Sequence, residues 1–392
     1  MFNHLSAPKM DPIMKVSQLY REDPRAEKVD LGVGVYKDET GITPVMRAVK
    51  GAEQKLVDTQ TSKVYTAMAG DPGFHDAMID LLLGEGADKT RIAAAAATGG
   101  TGAVRLAMEL IHKASPDAVI WISTPTWPNH NAIASVVGQT WKPYRYYDAE
   151  TGGLDRDGMM ADLAQAKAGD VVLLHGCCHN PTGADLSLDD WTAMADFLQA
   201  RGLIPFLDTA YQGFGLGLDE DVAGLRHIVA TQERVIISAS AAKNFGLYRE
   251  RAGLTLVICP EAERAAVQGT LASLNRGSIS FPPDHGARIA TTILTDDALR
   301  AEWEAELSEM RDRVNGLRRA LADALRDACG SDRFGFLAEQ RGMFSLLGGT
   351  PEQIDRLREE FAVYVVGGGR LNMAGLTPAT IPRVAKAIAQ VL

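Results

Sequence analysis

Arg234 to Gly253 reads RVIISASAAKNFGLYRERAG, and how its one lysine is placed decides both fold and chemistry. Val235, Ile236 and Ile237 are β-branched and open a buried strand. Small residues follow from Ser238 to Ala242, then Lys243. Asn244, Phe245 and Gly246 turn the chain, and Leu254 to Cys259 (LTLVIC) reads as another buried strand. No acid follows Lys243 until Glu250. One reading is a surface lysine that packs its stem and keeps its head in water. The other is an amine in a crowded, partly dry pocket. There the charged form is disfavoured and the neutral amine can form a Schiff base.

Composition narrows the classes. The chain has 392 residues, 46% of them apolar, enough for a large core and more than one domain. The formal charge of −10 argues against a general nucleic-acid surface, which needs clustered Lys and Arg. Four cysteines (Cys177, Cys178, Cys259 and Cys329) are too few for a disulfide scaffold, so a reducing cytoplasm is expected. The first residues carry no signal-peptide core, and no apolar run reaches the length of a membrane span.

Elsewhere the pattern alternates. Short apolar runs at Ala118–Ile122, Val171–Leu174, Leu203–Leu207 and Val235–Ile237 read as strands. Met159–Lys167, Leu188–Arg201 and Val222–Gln232 read as helices between them. This predicts an α/β fold with a mostly parallel sheet covered on both faces. Val29–Tyr36 (VDLGVGVY) also looks like a strand, and Pro44–Gln60 and Phe74–Gly84 like helices. Gly99, Gly100, Thr101 and Gly102 open the helix Ala103–His112; exposed N–H groups and the helix dipole there suit a phosphate. Residues 296–328 form one long amphipathic pattern, and a small α+β unit follows that also collects the N-terminal arm. The expected divisions are 1–43 (arm and part of the small domain), 44–310 (large domain) and 311–392 (small domain).

Sites in open parallel sheets lie at the carboxyl ends of strands. Four expected strands end in polar or aromatic residues. One leads to Trp127 and His130, the next to His175 and Asn180-Pro-Thr-Gly183. The third leads to Asp208 and Tyr211, the last to Ser240 and Lys243. Taken singly, Asp208 could be a helix N-cap, Asn180–Gly183 a turn and Trp127 a core residue. His175, Cys177, Cys178 and His179 suggest metal ligands only briefly. Four donors within five residues cannot wrap a tetrahedral ion, and no metal is expected.

The segment S-x-x-K-N-F-G-L-Y-x-E-R resembles the cofactor-lysine segment of class I aminotransferases, the aspartate and aromatic amino acid enzymes. The resemblance runs from about Lys15 to the C-terminus. It implies the three-layer α/β/α large domain of that family, with a mostly parallel seven-stranded sheet. It implies pyridoxal 5'-phosphate held on Lys243 as an aldimine, with Asp208 at the pyridinium nitrogen and His130 supporting Asp208. Asn180 and Tyr211 would bind the phenolic oxygen, Pro181 would follow a cis bond, and Trp127 would stack on the ring. Gly100, Thr101, Ser240 and Arg251 would take the phosphate, joined by Tyr65 from a partner subunit. The family usually has a serine where this chain has Ala242, so one phosphate hydroxyl is missing.

Arg370, in GGGRLNMAG, matches the α-carboxylate clamp. Arg276, in LNRGSISFPP, matches the arginine that reaches the neighbouring site for a distal carboxylate. Gly34, Tyr36 and Phe344 would line the substrate pocket, with His175 in support. The implied reaction is ping-pong transamination between amino acids and 2-oxo acids in a homodimer with shared sites. Val64 and Phe281 stand where aspartate-selective members carry asparagines, whereas Lys37 and Thr43 remain aspartate-like. Aromatic amino acids, with aspartate and glutamate as further substrates, are therefore expected; an aspartate-selective enzyme is the alternative. An elimination or decarboxylation enzyme of this fold would lack Arg276. A regulatory module would carry a basic segment before residue 30, and there is none.

Overall fold

A computed structural model describes residues 1–7 and 10–392. Seven strands build the central sheet: β1 (Ile92–Thr98), β2 (Ile120–Thr124), β3 (Trp141–Arg145), β4 (Val171–His175), β5 (Ile204–Thr209), β6 (Val235–Ser240) and β7 (Ala252–Ile258). Their order across the sheet is β1-β7-β6-β5-β4-β2-β3. Only β7 runs antiparallel to its neighbours. β4, β6 and β7 are buried at every position, as a sheet covered on both faces requires. The expected mostly parallel α/β sheet is thus observed.

Register brings the site together. His175 pairs with Asp208 and Asp208 with Ser238, so the polar ends of β4, β5 and β6 lie level. Because β7 is reversed, its start joins that same edge. Ala252 pairs with Thr98 and Gly253 with Ser240. Arg251 therefore stands beside the ends of β1 and β6. Gly253 has to be glycine here: a Cβ would lie 2.4 Å from the Gly99 carbonyl carbon, which is backbone and cannot swing aside.

Val29–Tyr36 departs from expectation. Only Val29–Asp30 is a strand, paired with Val363–Tyr364. Leu31 still bonds the backbone of Tyr364 and Asn372, and beyond it most of the carbonyls go to side chains rather than to a ladder. Arg370 Nη2 donates to the Gly32 carbonyl at 2.7 Å, and Asn372 Nδ2 to those of Val33 and Val35 at 2.6 and 2.7 Å. The Tyr36 amide donates to the Tyr248 hydroxyl at 2.9 Å. The helix expected from Ala103 starts at Gly99, the glycines forming its first turn. Strand β3 and the helices Pro128–Val137, Glu261–Ser278 and His285–Thr295 have no counterpart in the sequence reading. β3 (WKPYR) is mostly exposed and holds Pro143, which suits an edge strand and blurs its pattern.

The long helix spans Asp297–Cys329, with Asp296 as its N-cap and a left-handed Gly330 as its stop. Its apolar stripe is buried from Trp303 to Leu325. Trp303 Nε1 donates to the Asn244 carbonyl at 2.7 Å, and its indole stacks on Phe245 at 4.5 Å. Those two residues directly follow Lys243. Farther along, the fully buried Arg318 donates to the carbonyls of Leu337, Arg341, Gly342 and Phe344. One helix thus fixes the loop after the lysine and the segment that carries Phe344. That segment, Phe344–Leu346, pairs antiparallel with Arg370–Asn372 in the smaller α+β part. Among the described residues, no helix is long and apolar enough to cross a membrane.

Trp303→Ala removes a fully buried side chain and should cost about 3–5 kcal/mol. Trp303→Phe keeps a stacking ring and leaves one carbonyl unpaired, at about 1–3 kcal/mol. Denaturant midpoints of the two variants measure the difference; equal losses would contradict this role for the helix.

Candidate active site

The carboxyl edge of the sheet borders a cavity of about 250 Å³. Its walls include Lys243, Asp208, Tyr211, Asn180, Trp127 and His175 on one side, and Gly34, Phe344 and Arg370 on another. Gly100, Thr101, Ser240, Ala242 and Arg251 close the end nearest β1. Most residues picked out in the sequence therefore share one space.

Lys243 Nζ lies 4.4 Å from the centre of the Tyr211 ring. Burial lowers its pKa to about 8; the Asp208 charge works against that shift and Arg251 adds to it. The amine is therefore closer to neutral than an exposed lysine at the same pH. Burial also pushes the Tyr211 phenol well above its ordinary value.

Asp208 sits at the buried end of β5 and, among the described residues, pairs with no Lys or Arg. Its Oδ2 lies 3.2 Å from His130 Nε2. Burial pushes its carboxyl up, but the His130 hydrogen bond, with the neighbouring imidazoles and the Lys243 amine, outweighs that, and the net pKa is below the usual value. A single hydroxyl, Thr126 Oγ1, bridges His130 Nδ1 at 2.8 Å and His175 Nε2 at 3.1 Å. His175 is held near a pKa of about 3, first by burial and then by His130. Its ring packs 4.1 Å from that of His179, which stacks on Tyr146. The carboxylate is thus backed by a chain of imidazoles and hydroxyls rather than by a cation.

Asn180 precedes a cis Pro181, as expected. Trp127 ends the turn before the helix Pro128–Val137 and meets the His130 ring edge-on at 5.2 Å. At the other end, the first turn of the helix Gly99–Ala114 lines the cavity with Gly100 and Thr101. A Cβ on Gly99 would lie 2.5 Å from Arg251 Nη2, so glycine lets the guanidinium close over the helix start. Arg251 itself has φ 58°, a conformation that side chains rarely adopt. Its Nη1 donates to the Tyr248 carbonyl at 2.8 Å. Ser240 Oγ accepts from the Ala242 amide at 3.2 Å, and Ala242 brings no hydroxyl of its own.

Arg370 is buried, and its guanidinium lies 4.5 Å over the Phe344 ring. Burial lowers its pKa, though not enough to discharge it. Nη2 is anchored on Gly32, while Nε has no partner. Gly34 lets the Phe344 ring approach: a Cβ there would lie 2.9 Å from Phe344 Cζ.

Of the residues expected to touch cofactor or substrate, three lie apart from this cavity. Tyr36 is buried but does not line it. Tyr65 is exposed and stacks on Phe281 at 4.8 Å. Arg276 is also exposed, donates to Ser280 Oγ at 2.6 Å and sits 5.8 Å from the Phe281 ring. Within one chain the last two form a surface patch. Conversely, Ile13, Cys177, Ala210 and Tyr248 line the cavity without having been singled out for it. Thr126, the bridge between the histidines, was also missed; its place one helical turn before His130 was the available signal.

The donor set fits pyridoxal phosphate. It offers a partly neutral amine for an aldehyde and a buried carboxylate for a protonated ring nitrogen. Glycine amides, a serine and an arginine stand ready for a phosphate. Two buried polar atoms, Asn180 Oδ1 and Arg370 Nε, lack any partner and leave room for one on a bound molecule.

Comparison with known proteins agrees with this geometry. The family described as aminotransferase class I and II matches residues 26–388. An aromatic-amino-acid aminotransferase of Paracoccus denitrificans is 53% identical over 392 residues, covering 100% of both chains. The aspartate aminotransferase of Escherichia coli K12 is 44% identical over 398 residues, again covering 100% of each. The crystal structure of an aromatic-amino-acid aminotransferase from Burkholderia pseudomallei, covalently bound to pyridoxal phosphate, superposes with a TM-score of 0.97. It is 40% identical, with 100% of this chain and 99% of that one covered. By sequence and by fold, this chain belongs to the class I and II aminotransferases, transaminases that depend on pyridoxal phosphate.

Proposed function

We propose that this chain moves amino groups between aromatic amino acids and 2-oxoglutarate, with aspartate and glutamate as further substrates. The observation that carries the proposal is one cavity shared by Lys243, Asp208 and Arg370.

When bound, pyridoxal phosphate supplies an aldehyde for amine exchange and a ring that draws electrons from the substrate Cα. Asp208 would hold the ring nitrogen and keep a proton on it. Asn180 and Tyr211 would hold the phenolic oxygen, and Trp127 would pack against the ring. Gly100, Thr101, Ser240 and Arg251 would bind the phosphate. Arg370 takes the substrate α-carboxylate; its anchor on Gly32 fixes one nitrogen, and its free Nε is a donor waiting for an acceptor. Lys243 Nζ then moves the proton at the substrate Cα. The first oxo acid leaves before the second enters, giving a ping-pong order.

Tyr65 and Arg276 reach a cavity only if a second copy carries them there. The exposed apolar residues Phe2, Leu5, Ile42, Val64 and Tyr65 support such a homodimer with shared sites. Four unpaired cysteines fit a reducing, cytoplasmic setting. In such a dimer Phe281 stacked on Tyr65, beside exposed Val64, would make the entrance apolar and favour aromatic side chains. The second reading, an aspartate-selective enzyme, is favoured by Arg276 with Lys37 and Thr43.

Arg370→Ala should lower kcat/KM for phenylalanine, tyrosine and aspartate alike, by roughly 30-fold to several thousand-fold for a lost charge pair of about 2–5 kcal/mol. Arg276→Ala should do so for aspartate only. Half-reaction kinetics on single amino acids separate the two. Equal losses for all three substrates in Arg276→Ala would contradict its role, and negligible aromatic turnover in the wild type would establish the aspartate reading.

Co-expressing Lys243→Ala with Arg276→Ala provides a test of the dimer. Half the dimers are hybrids with one intact site, so roughly a quarter of the aspartate activity should return. No recovery from a mixture shown to contain hybrids would place each site within a single chain.

A further inference from the structure

Cys177, Cys178 and Asp221 have no part in the reaction above, yet they are packed together and all three are buried. The two Sγ atoms and an Asp221 carboxylate oxygen lie within 4.8 Å of one another. The thiols come from the turn after β4. Asp221 comes from the short 3-10 turn Glu220–Val222, on another loop. Sequence spacing dismissed a metal here because the donors within His175–His179 are too close in the chain. The histidines are indeed occupied elsewhere: His175 bonds Thr126, and His179 bonds Ser123 and Thr182. Local spacing could not show that a carboxylate arrives from a distant segment.

We propose that Cys177, Cys178 and Asp221 form a binding site for a soft divalent cation, of the Zn²⁺ or Cd²⁺ type. The site would be entered from the cavity on the far side of the β4 turn. That cavity measures about 640 Å³, and Cys177 and Asp221 both line it. A fourth ligand, water or a small molecule, can approach from there.

The geometry is close to what the ion needs. Sulfur at about 2.3 Å and oxygen at about 2.0–2.2 Å put tetrahedral donors roughly 3.5–3.8 Å apart. Side-chain rotations that move the donors by on the order of 1 Å reach that spacing. Asp221 Oδ2 already accepts from the Gly213 and Gly215 amides at 2.8 and 2.9 Å. Oδ1 accepts one short bond, from Leu216 at 2.7 Å, and a long one from Gly217 at 3.5 Å. The Gly217 bond is at the limit of hydrogen-bond reach, and a cation that displaces it gains an Oδ1 lone pair. The charge also balances. Two thiol protons leave for solvent as one dication enters, so the net buried charge is unchanged and nothing is oxidised.

The site is coupled to the reaction if the roles proposed above hold. Cys177 also lines the cavity of Lys243. Cys178 Sγ lies 3.9 Å from the Tyr211 carbonyl, and Asp221 holds the loop that follows Tyr211. Metal binding removes the Cys178 S–H bond to the Tyr211 carbonyl and draws on the carboxylate that holds the Gly213 amide, and should lower turnover in proportion to occupancy.

The test is titration of the holoenzyme with Cd²⁺, read by thiolate-to-metal absorption in the ultraviolet and by equilibrium dialysis. One ion per chain is expected. Cys177→Ser and Cys178→Ser should each abolish the absorption, while Cys259→Ser and Cys329→Ser keep it. Absence of the band, or its persistence in both Cys177→Ser and Cys178→Ser, would overturn the site whatever the substrate proves to be. A stoichiometric band with unchanged turnover would overturn the coupling to Tyr211.

Discussion

A charged carboxylate at the buried end of a strand is the constraint around which this site is arranged. Left alone, Asp208 would cost several kcal/mol or take up a proton, by order of magnitude. Among the described residues no arginine or lysine pairs with it. Instead His130 binds it, Thr126 ties His130 to His175, and His175 packs on His179 and Tyr146. The arrangement keeps Asp208 ionised while leaving its charge available to the cavity. Among the described residues, the amine that influences Asp208 is Lys243, whose own burial makes it a weak holder of its proton. Carboxylate and amine are thus tuned against each other by desolvation more than by direct pairing.

That tuning matters only if the groups stay in place, and the fold supplies the rigidity from two directions. The sheet register levels His175, Asp208 and Ser238, and the one reversed strand delivers Arg251 to the same edge. Across the cavity, the long helix pins Asn244 and Phe245 with Trp303 near one end and holds the Phe344 segment with Arg318 farther along. Arg318 is a buried cation satisfied by carbonyls, a costly way to hold a loop that makes sense where the loop must be held accurately. The Lys243 side and the Arg370 side of the cavity are thereby both tied to one helix.

Much of this was legible in the sequence because the chemistry sits at strand ends. A buried run followed by Asp208, by Asn180-Pro181 or by Lys243 breaks its own pattern, and the break is visible without coordinates. The apolar period of the long helix was equally plain. What stayed hidden had no such contrast. Strand β3 is an exposed edge with a proline. The stretch after Asp30 looks like a strand, but side chains of Arg370, Asn372 and Tyr248 satisfy its backbone, and no local pattern encodes partners so far along the chain. Thr126 and Tyr248 are ordinary residues until three dimensions place them between others. Asp221 belongs to the same class: its neighbours in sequence do not announce the two thiols beside it.

The central claim is that Lys243, among all the lysines, is the amine presented to the cofactor's aldehyde. Reduction of the holoenzyme with borohydride fixes the cofactor to whichever amine holds it, and peptide mass spectrometry then reads the position. A single modified peptide containing Lys243 is the predicted result. Modification at another lysine, or none on a protein that retains its cofactor, would contradict the account.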